Sequence, residues 1–180
     1  MNQVKEFLEY IFNAIKIWII IQPWETGLRV RFGKHIKKLE KGIYFRIPYF
    51  DSVYKQEKRL RVCSLPMQTL TTRDNKTITL NGAIGYKITD IENLYGTLYH
   101  PQTTISNLCM SYLNEHVIRL SAESLDLEIM ENYVIEKLKE KKYGLCFQYF
   151  KITNYALVNT YRLIQDQSWI NEDIGVDIKS

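Results

Sequence analysis

"KIWIIIQPWETGLRVRFG", residues 16–33, sets two textures side by side. Five consecutive large apolar residues, Ile17 to Ile21, stop at Gln22 and Pro23. Beyond them Leu28, Val30 and Phe32 alternate with Arg29, Arg31 and Gly33. Alternation at period two reads as a half-buried β-strand. The apolar run before it reads differently. Wound at about 100° per residue, residues 4–21 gather Lys5, Glu6, Glu9, Asn13 and Lys16 into one narrow sector. Val4, Phe7, Leu8, Ile11, Phe12, Ile15, Ile17, Trp18, Ile19 and Ile21 cover the rest of the circumference.

Three readings compete for that segment. A cleaved signal peptide fits poorly, because Glu6 and Glu9 spoil a basic leader and no small-x-small site precedes Pro23. A buried core helix is the plain alternative, since short apolar runs are ambiguous. A membrane helix fits the narrow polar stripe best, with Trp18 and Trp24 suited to the interfacial zone. Its length of ~28 Å just permits crossing. Each charge near the bilayer centre costs roughly 2.5–3.5 kcal/mol, however, so spanning and lying in one leaflet both stay open. The sequence thus predicts an N-terminal membrane-associated helix within residues 1–23.

The charge pattern works outward from the same place. The net charge is +4. Residues 24–61 carry eleven Lys/Arg against four Asp/Glu, a local +7, while residues 62–180 carry eleven against fourteen, or −3. A basic surface beside an inserted helix gains about 1 kcal/mol per Lys or Arg near anionic headgroups. The expected inserting residues are Phe7, Leu8, Ile11, Phe12, Ile15, Ile17, Trp18, Ile19, Ile20, Ile21 and Trp24. The expected headgroup contacts are Arg29, Arg31, Lys34, Lys37 and Lys38. A basic strand face that is merely solvated is the other reading of these charges.

Further along, Ile43, Phe45 and Ile47 share a strand face that Pro48 ends, and residues 51–65 look extended. "TRDNKT", residues 72–77, supplies turn residues before a strand over 77–89. Asp90 can cap a short helix through Leu94. Pro101 opens a second helix, with Ile105, Leu108, Cys109, Tyr112, Leu113, His116 and Val117 on one side. Ser121 or Ser124 can cap a third, in which Leu127, Met130, Val134 and Leu138 repeat at helical spacing. Gly144 follows it, then a long strand over 146–158, and Asn159 or Thr160 can cap a terminal helix ending near Trp169. The fold class is α+β: antiparallel and β-rich, with two main helices.

No catalytic constellation stands out. The chain has no Gly-rich phosphate loop, no GxSxG and no HExxH. Asp126 and Glu128 sit on a helix surface. Cys63, Cys109 and Cys146 are odd in number and far apart, which argues against a disulfide framework and for a reducing compartment. His35, His100 and His116 do not cluster with them, so neither metal nor cofactor is expected. The tyrosines are not interleaved with Arg as stacking platforms, so no nucleic-acid partner is expected. A binding or scaffolding role remains, and no enzyme.

Four stretches in order resemble a known family. They are "ETGLRVRFGK" (25–34), "LEKGIYFRIPYFDSVYKQEKR" (39–59), "LPMQTLTTRDNKTITLNGAIGYKITD" (65–90) and "KKYGLCFQYFKITNYAL" (141–157). Together they are similar to the SPFH domain of stomatins, prohibitins, flotillins and the bacterial partners of the AAA+ protease FtsH. Tyr143 stands where that family has Trp. After "YRLIQDQ" (161–167) the family continues into a coiled coil, whereas residues 169–180 show no heptads. The resemblance implies an SPFH domain over 24–165 after a membrane segment over 1–23, with a short tail over 166–180. It also implies a membrane-anchored scaffold that forms homo-oligomers and organises lipids or membrane proteins. The alternative is a regulator of a membrane-bound AAA+ protease or of another SPFH assembly. Assembly is expected to rely on the domain and its anchor.

Overall fold

The computed structural model describes residues 17–158. The chain begins with β1 (Trp18–Ile21), β2 (Glu25–Arg31), β3 (His35–Leu39), β4 (Gly42–Phe45) and β5 (Asp51–Glu57). It continues with β6 (Arg61–Thr71), β7 (Thr77–Ile88), α1 (Ile91–Thr97), α2 (Pro101–Val117), α3 (Leu127–Lys139) and β8 (Leu145–Val158). All strand pairs are antiparallel: a β1–β4 ribbon, a sheet of order β3-β2-β5 and a sheet of order β6-β7-β8. The first two sheets form one lobe. The third, covered by α2 and α3, forms the other.

The second lobe follows its periodicities. Ile78, Leu80, Ile84 and Tyr86 alternate inward along β7, and Phe147 and Phe150 join them from β8. Ile105, Cys109, Leu113 and Val117 of α2 and Met130, Val134 and Leu138 of α3 close the core. Pro101 stands at the start of α2, where a missing N–H costs nothing. Asp90 caps α1 by accepting from the Glu92 N–H. The cap of α3 differs from expectation. Asp126 accepts from the Glu128 and Ile129 amides, while Ser121 instead precedes a 3-10 turn, Ala122–Ser124. Gly144 has φ +70°, and a Cβ there would lie 2.2 Å from the Asp90 carbonyl oxygen. Its own carbonyl accepts from the Thr89 and Asp90 amides, so this glycine ties the strand junction together.

Two expectations change in the first lobe. Trp18–Ile21 is a strand, paired with Gly42–Phe45 from Trp18↔Phe45 to Ile21↔Gly42. The predicted helix therefore does not reach this segment. A run of Ile and Trp has high strand preference, and β4 offers it a partner that no local helical pattern reveals. Among the described residues no helix is long and apolar enough to cross a membrane. Phe7, Leu8, Ile11, Phe12 and Ile15 lie outside the described residues, as do the expected helix after Asn159 and the tail. The extended stretch 51–65 is also not one strand. It divides at Lys58–Leu60 into β5 of the first lobe and β6 of the second.

Candidate functional site

In the first lobe alternation decides which side chains face out. Along β1, Ile21 turns inward and is 2% exposed, lying over Gly27, which Leu39 also flanks. Ile21 is thus held by the domain itself and is removed from the expected inserting set. Trp18 and Ile20 point the other way. Their ladder partners Phe45 and Ile43 share that outer side, and all four are exposed, Trp18 by 66% and Ile43 by 67%. The Trp18 and Phe45 rings meet edge to face at 5.8 Å. The ribbon therefore turns an apolar face away from the rest of the lobe.

A second apolar group gathers at the end where β2 runs out. Phe32 follows β2 and Phe50 precedes β5; their rings are 5.0 Å apart, and the Phe32 N–H donates to the Phe50 carbonyl. Tyr49 beside them is 95% exposed. Phe32 (φ +53°) and Tyr49 (φ +70°) both adopt left-handed backbone. For aromatic residues that conformation is uncommon, and costs of order 1–3 kcal/mol collect where function demands them. Ile17 lies at the same end, since the Arg46 amide donates to its carbonyl at 2.6 Å.

An ion pair fixes this end. Asp51 is 2% exposed and takes the Arg31 guanidinium in a fork, Nε to Oδ1 at 2.7 Å and Nη2 to Oδ2 at 2.9 Å. The Ile47 amide donates to the same carboxylate at 3.0 Å, and Arg46 Nε donates to the Asp51 carbonyl at 3.1 Å. The Arg31 hydrogen bonds, aided by the Ile47 amide, pull the Asp51 carboxyl down to about 2. One buried acid thus shapes the loop that carries Tyr49 and Phe50.

The expected headgroup residues are not one surface. Arg29 and Lys37 face each other across β2 and β3 on the side the ribbon covers. There Arg29 Nη1 donates to the Phe45 carbonyl at 3.3 Å. Arg31 is committed to Asp51. Lys38 lies on the opposite side, opposite Leu28, with its Nζ 3.8 Å from Asp90. Lys34 sits in the exposed turn after Phe32. Trp24 is also apart from Trp18: it lies at the lobe junction, with the Arg59 guanidinium 5.6 Å from its ring centre. What sequence reasoning missed is the aromatic end, Phe32, Tyr49 and Phe50 with Phe45 and Ile43. The Phe32-Gly33 turn and the "IPYF" loop were its available signals.

A ribbon, two antiparallel sheets and a helical cover make this an α+β domain of two β-lobes joined by a short linker. The profile of the SPFH domain / Band 7 family matches residues 19–160, and the chain belongs to that family. An uncharacterized protein of Methanocaldococcus jannaschii is 30% identical over 133 residues, covering 72% of this chain and 64% of its own length. Protein HflC of Buchnera aphidicola is 24% identical over 140 residues, or 71% of this chain and 42% of that protein. Mouse stomatin is 30% identical over 87 residues, or 46% of this chain and 31% of that protein. The chain spans less than two thirds of the length of each of these relatives.

Proposed function

We propose that this chain is a membrane-associated SPFH scaffold protein whose first lobe seats its aromatic end on a bilayer. The observation that carries this is the gathering of Trp18, Phe32, Phe45, Tyr49 and Phe50, all exposed, at the end of the lobe where Ile17 lies. Aromatic side chains suit the headgroup level, where one end is apolar and the other wet. Lys34 is exposed in the turn beside them and Arg46 is half-exposed, so cations stand next to the apolar group for anionic lipid phosphates. The left-handed backbone at Phe32 and Tyr49 supports the reading, because it holds large apolar groups out at a cost to folding. The apolar residues Phe7, Leu8, Ile11, Phe12 and Ile15 precede this end in sequence and extend the same attachment. On the membrane, copies then group lipids or membrane proteins.

Flotation with vesicles of mixed zwitterionic and anionic lipid tests this. The whole chain should float with the vesicles, and the Phe32→Ser/Tyr49→Ser/Phe50→Ser variant should lose at least a factor of ten in bound fraction. Undiminished flotation by a folded triple variant removes the aromatic end from the attachment. A second reading, regulation of a membrane-bound AAA+ protease, is favoured by similarity to a protein named HflC. Cross-linking in cells separates the two, since a stoichiometric protease adduct supports regulation and mostly self-adducts support the scaffold.

A further inference from the structure

The core-facing row of the second sheet ends on a charge. Arg61 stands opposite Tyr86 in the β6–β7 register, and Phe147 of β8 opposes Tyr86 from the other side. Arg61 therefore takes an inward position at the start of β6, half-buried beside a tyrosine that is 2% exposed. An inward guanidinium normally meets a carboxylate, because burying an unpaired charge is costly. No carboxylate pairs with Arg61 among the described residues. Its Nη2 donates to Gln56 Oε1 at 2.8 Å, and Gln56 Nε2 donates onward to Tyr95 Oη at 2.8 Å. That relay orients the guanidinium without neutralising it.

Arg61 and Tyr86 border a cavity of about 200 Å³ at the lobe junction, and the groups around it are rich in donors and short of acceptors. Arg61, which can only donate, and the Gln102 side chain stand beside the Tyr86 hydroxyl. No carboxylate or backbone carbonyl accepts the phenol's proton among the described residues. α2 begins on the same wall, with no side-chain cap and no acid in its first turn. Its first bond runs from the Thr104 amide to the His100 carbonyl at 3.0 Å, so the Gln102 and Thr103 amides stand ahead of the ladder. The positive end of a 17-residue helix lies behind them. Exposed His100 adds an imidazole, and buried Ile88 and Leu94 add an apolar wall.

We propose that this cavity binds the phosphoryl group of a small soluble ligand, held by the Arg61 guanidinium, the Tyr86 hydroxyl and the first amides of α2. A guanidinium fork, a phenol hydrogen and helix amides together match the several oxygens of a phosphate better than the two of a carboxylate. Inorganic phosphate and a soluble phosphomonoester share that chemistry. The seated bilayer is not the source. β5 leads from Asp51 at the aromatic end to Glu57 at this junction, which sets the cavity roughly 20 Å from that end. Gln56 comes from the first lobe and Arg61, Tyr86 and α2 from the second, so an occupant ties the lobes together across Lys58–Leu60. The proposal does not depend on lipid contact.

The test titrates the full chain in mild detergent with inorganic phosphate and with phenyl phosphate, against chloride at matched ionic strength. Phosphorus NMR should show saturable line broadening with at least one of the two at millimolar concentration or below, and the melting temperature should rise with it. Arg61→Gln removes the charge but keeps an amide donor, and should weaken binding about tenfold or more. Tyr86→Phe leaves the ring in the core, should weaken binding about threefold or more, and carries the test if Arg61→Gln fails to fold. Flotation with anionic vesicles should be the same for Arg61→Gln as for the parent, which separates this cavity from the membrane reading. No saturation by either phosphate, an equal effect of chloride, binding that neither variant weakens, or an Arg61 dependence seen only with vesicles overturns the proposal.

Discussion

The two lobes use apolar residues in opposite ways. In the second, fifteen buried residues from three strands and two helices form one continuous core. In the first, the buried apolar residues are Ile21, Leu28 and Leu39, while Trp18, Ile20, Phe32, Ile43, Phe45 and Phe50 face outward. Burying a large apolar side chain is worth about 1.5–3 kcal/mol, so a lobe that leaves these and others such as Ile36 exposed is not optimised for its own stability. An exposed apolar patch marks a surface made for something else. The second lobe is built to stay folded, and the first to be covered.

That contrast can be broken by mutation, and the largest effect belongs to the second lobe. Leu113→Ala, at a fully buried helix position, should cost about 2–5 kcal/mol in urea unfolding. A loss under about 1 kcal/mol means the core is looser than described. Asp51→Asn comes next, at about 3 kcal/mol, because it strips the buried partner from a guanidinium. The sign with pH follows from the depressed carboxyl. Asp51 contributes stability that is fully present above its unfolded value near 3.9 and lost as pH falls through about 2. The gap in melting temperature between wild type and Asp51→Asn should therefore narrow from pH 5 to pH 2. A constant gap means the ion pair is not what Asp51 supplies.

How much of this was legible in the sequence depends on how far each residue's partner lies. The second lobe was readable because its signals are local. The alternation of β7 and the spacing of Ile105, Cys109, Leu113 and Val117 along α2 show in one stretch of chain. Ile17–Ile21 failed because a short apolar run suits helix and strand alike, and its β4 partner depends on tertiary pairing. Arg29 and Arg31 read as a basic surface because nothing near them in sequence shows that the ribbon overlies one and Asp51 claims the other. Asp126 outdid Ser121 and Ser124 because it stands immediately before the first helical residue. The family, by contrast, was readable, since its four motifs survive in order.

Smaller effects sharpen the contrast. Phe32→Ser/Tyr49→Ser/Phe50→Ser should change unfolding stability little, with each surface substitution within about 0.5 kcal/mol, while releasing the chain from vesicles. Stability and attachment falling together would mean that these rings are a core and not a surface. The smallest expected change has the opposite sign. Tyr49→Gly, at φ +70°, should raise stability by about 0.5–1 kcal/mol by relieving left-handed strain. A gain in stability with weaker flotation marks a position kept for binding at a cost to folding.

The direction of β1 has a mechanical consequence. The chain enters at the aromatic end and runs inward antiparallel to β4, with the Lys55 ammonium donating to the Ile20 carbonyl and the Arg46 amide to that of Ile17. A pull applied at Ile17, along the strand and away from the lobe, loads the four rungs of that ladder in shear, all together. Peeling them one at a time would need far less force. A tether at that point drags the whole lobe with it before it frays the strand that holds it.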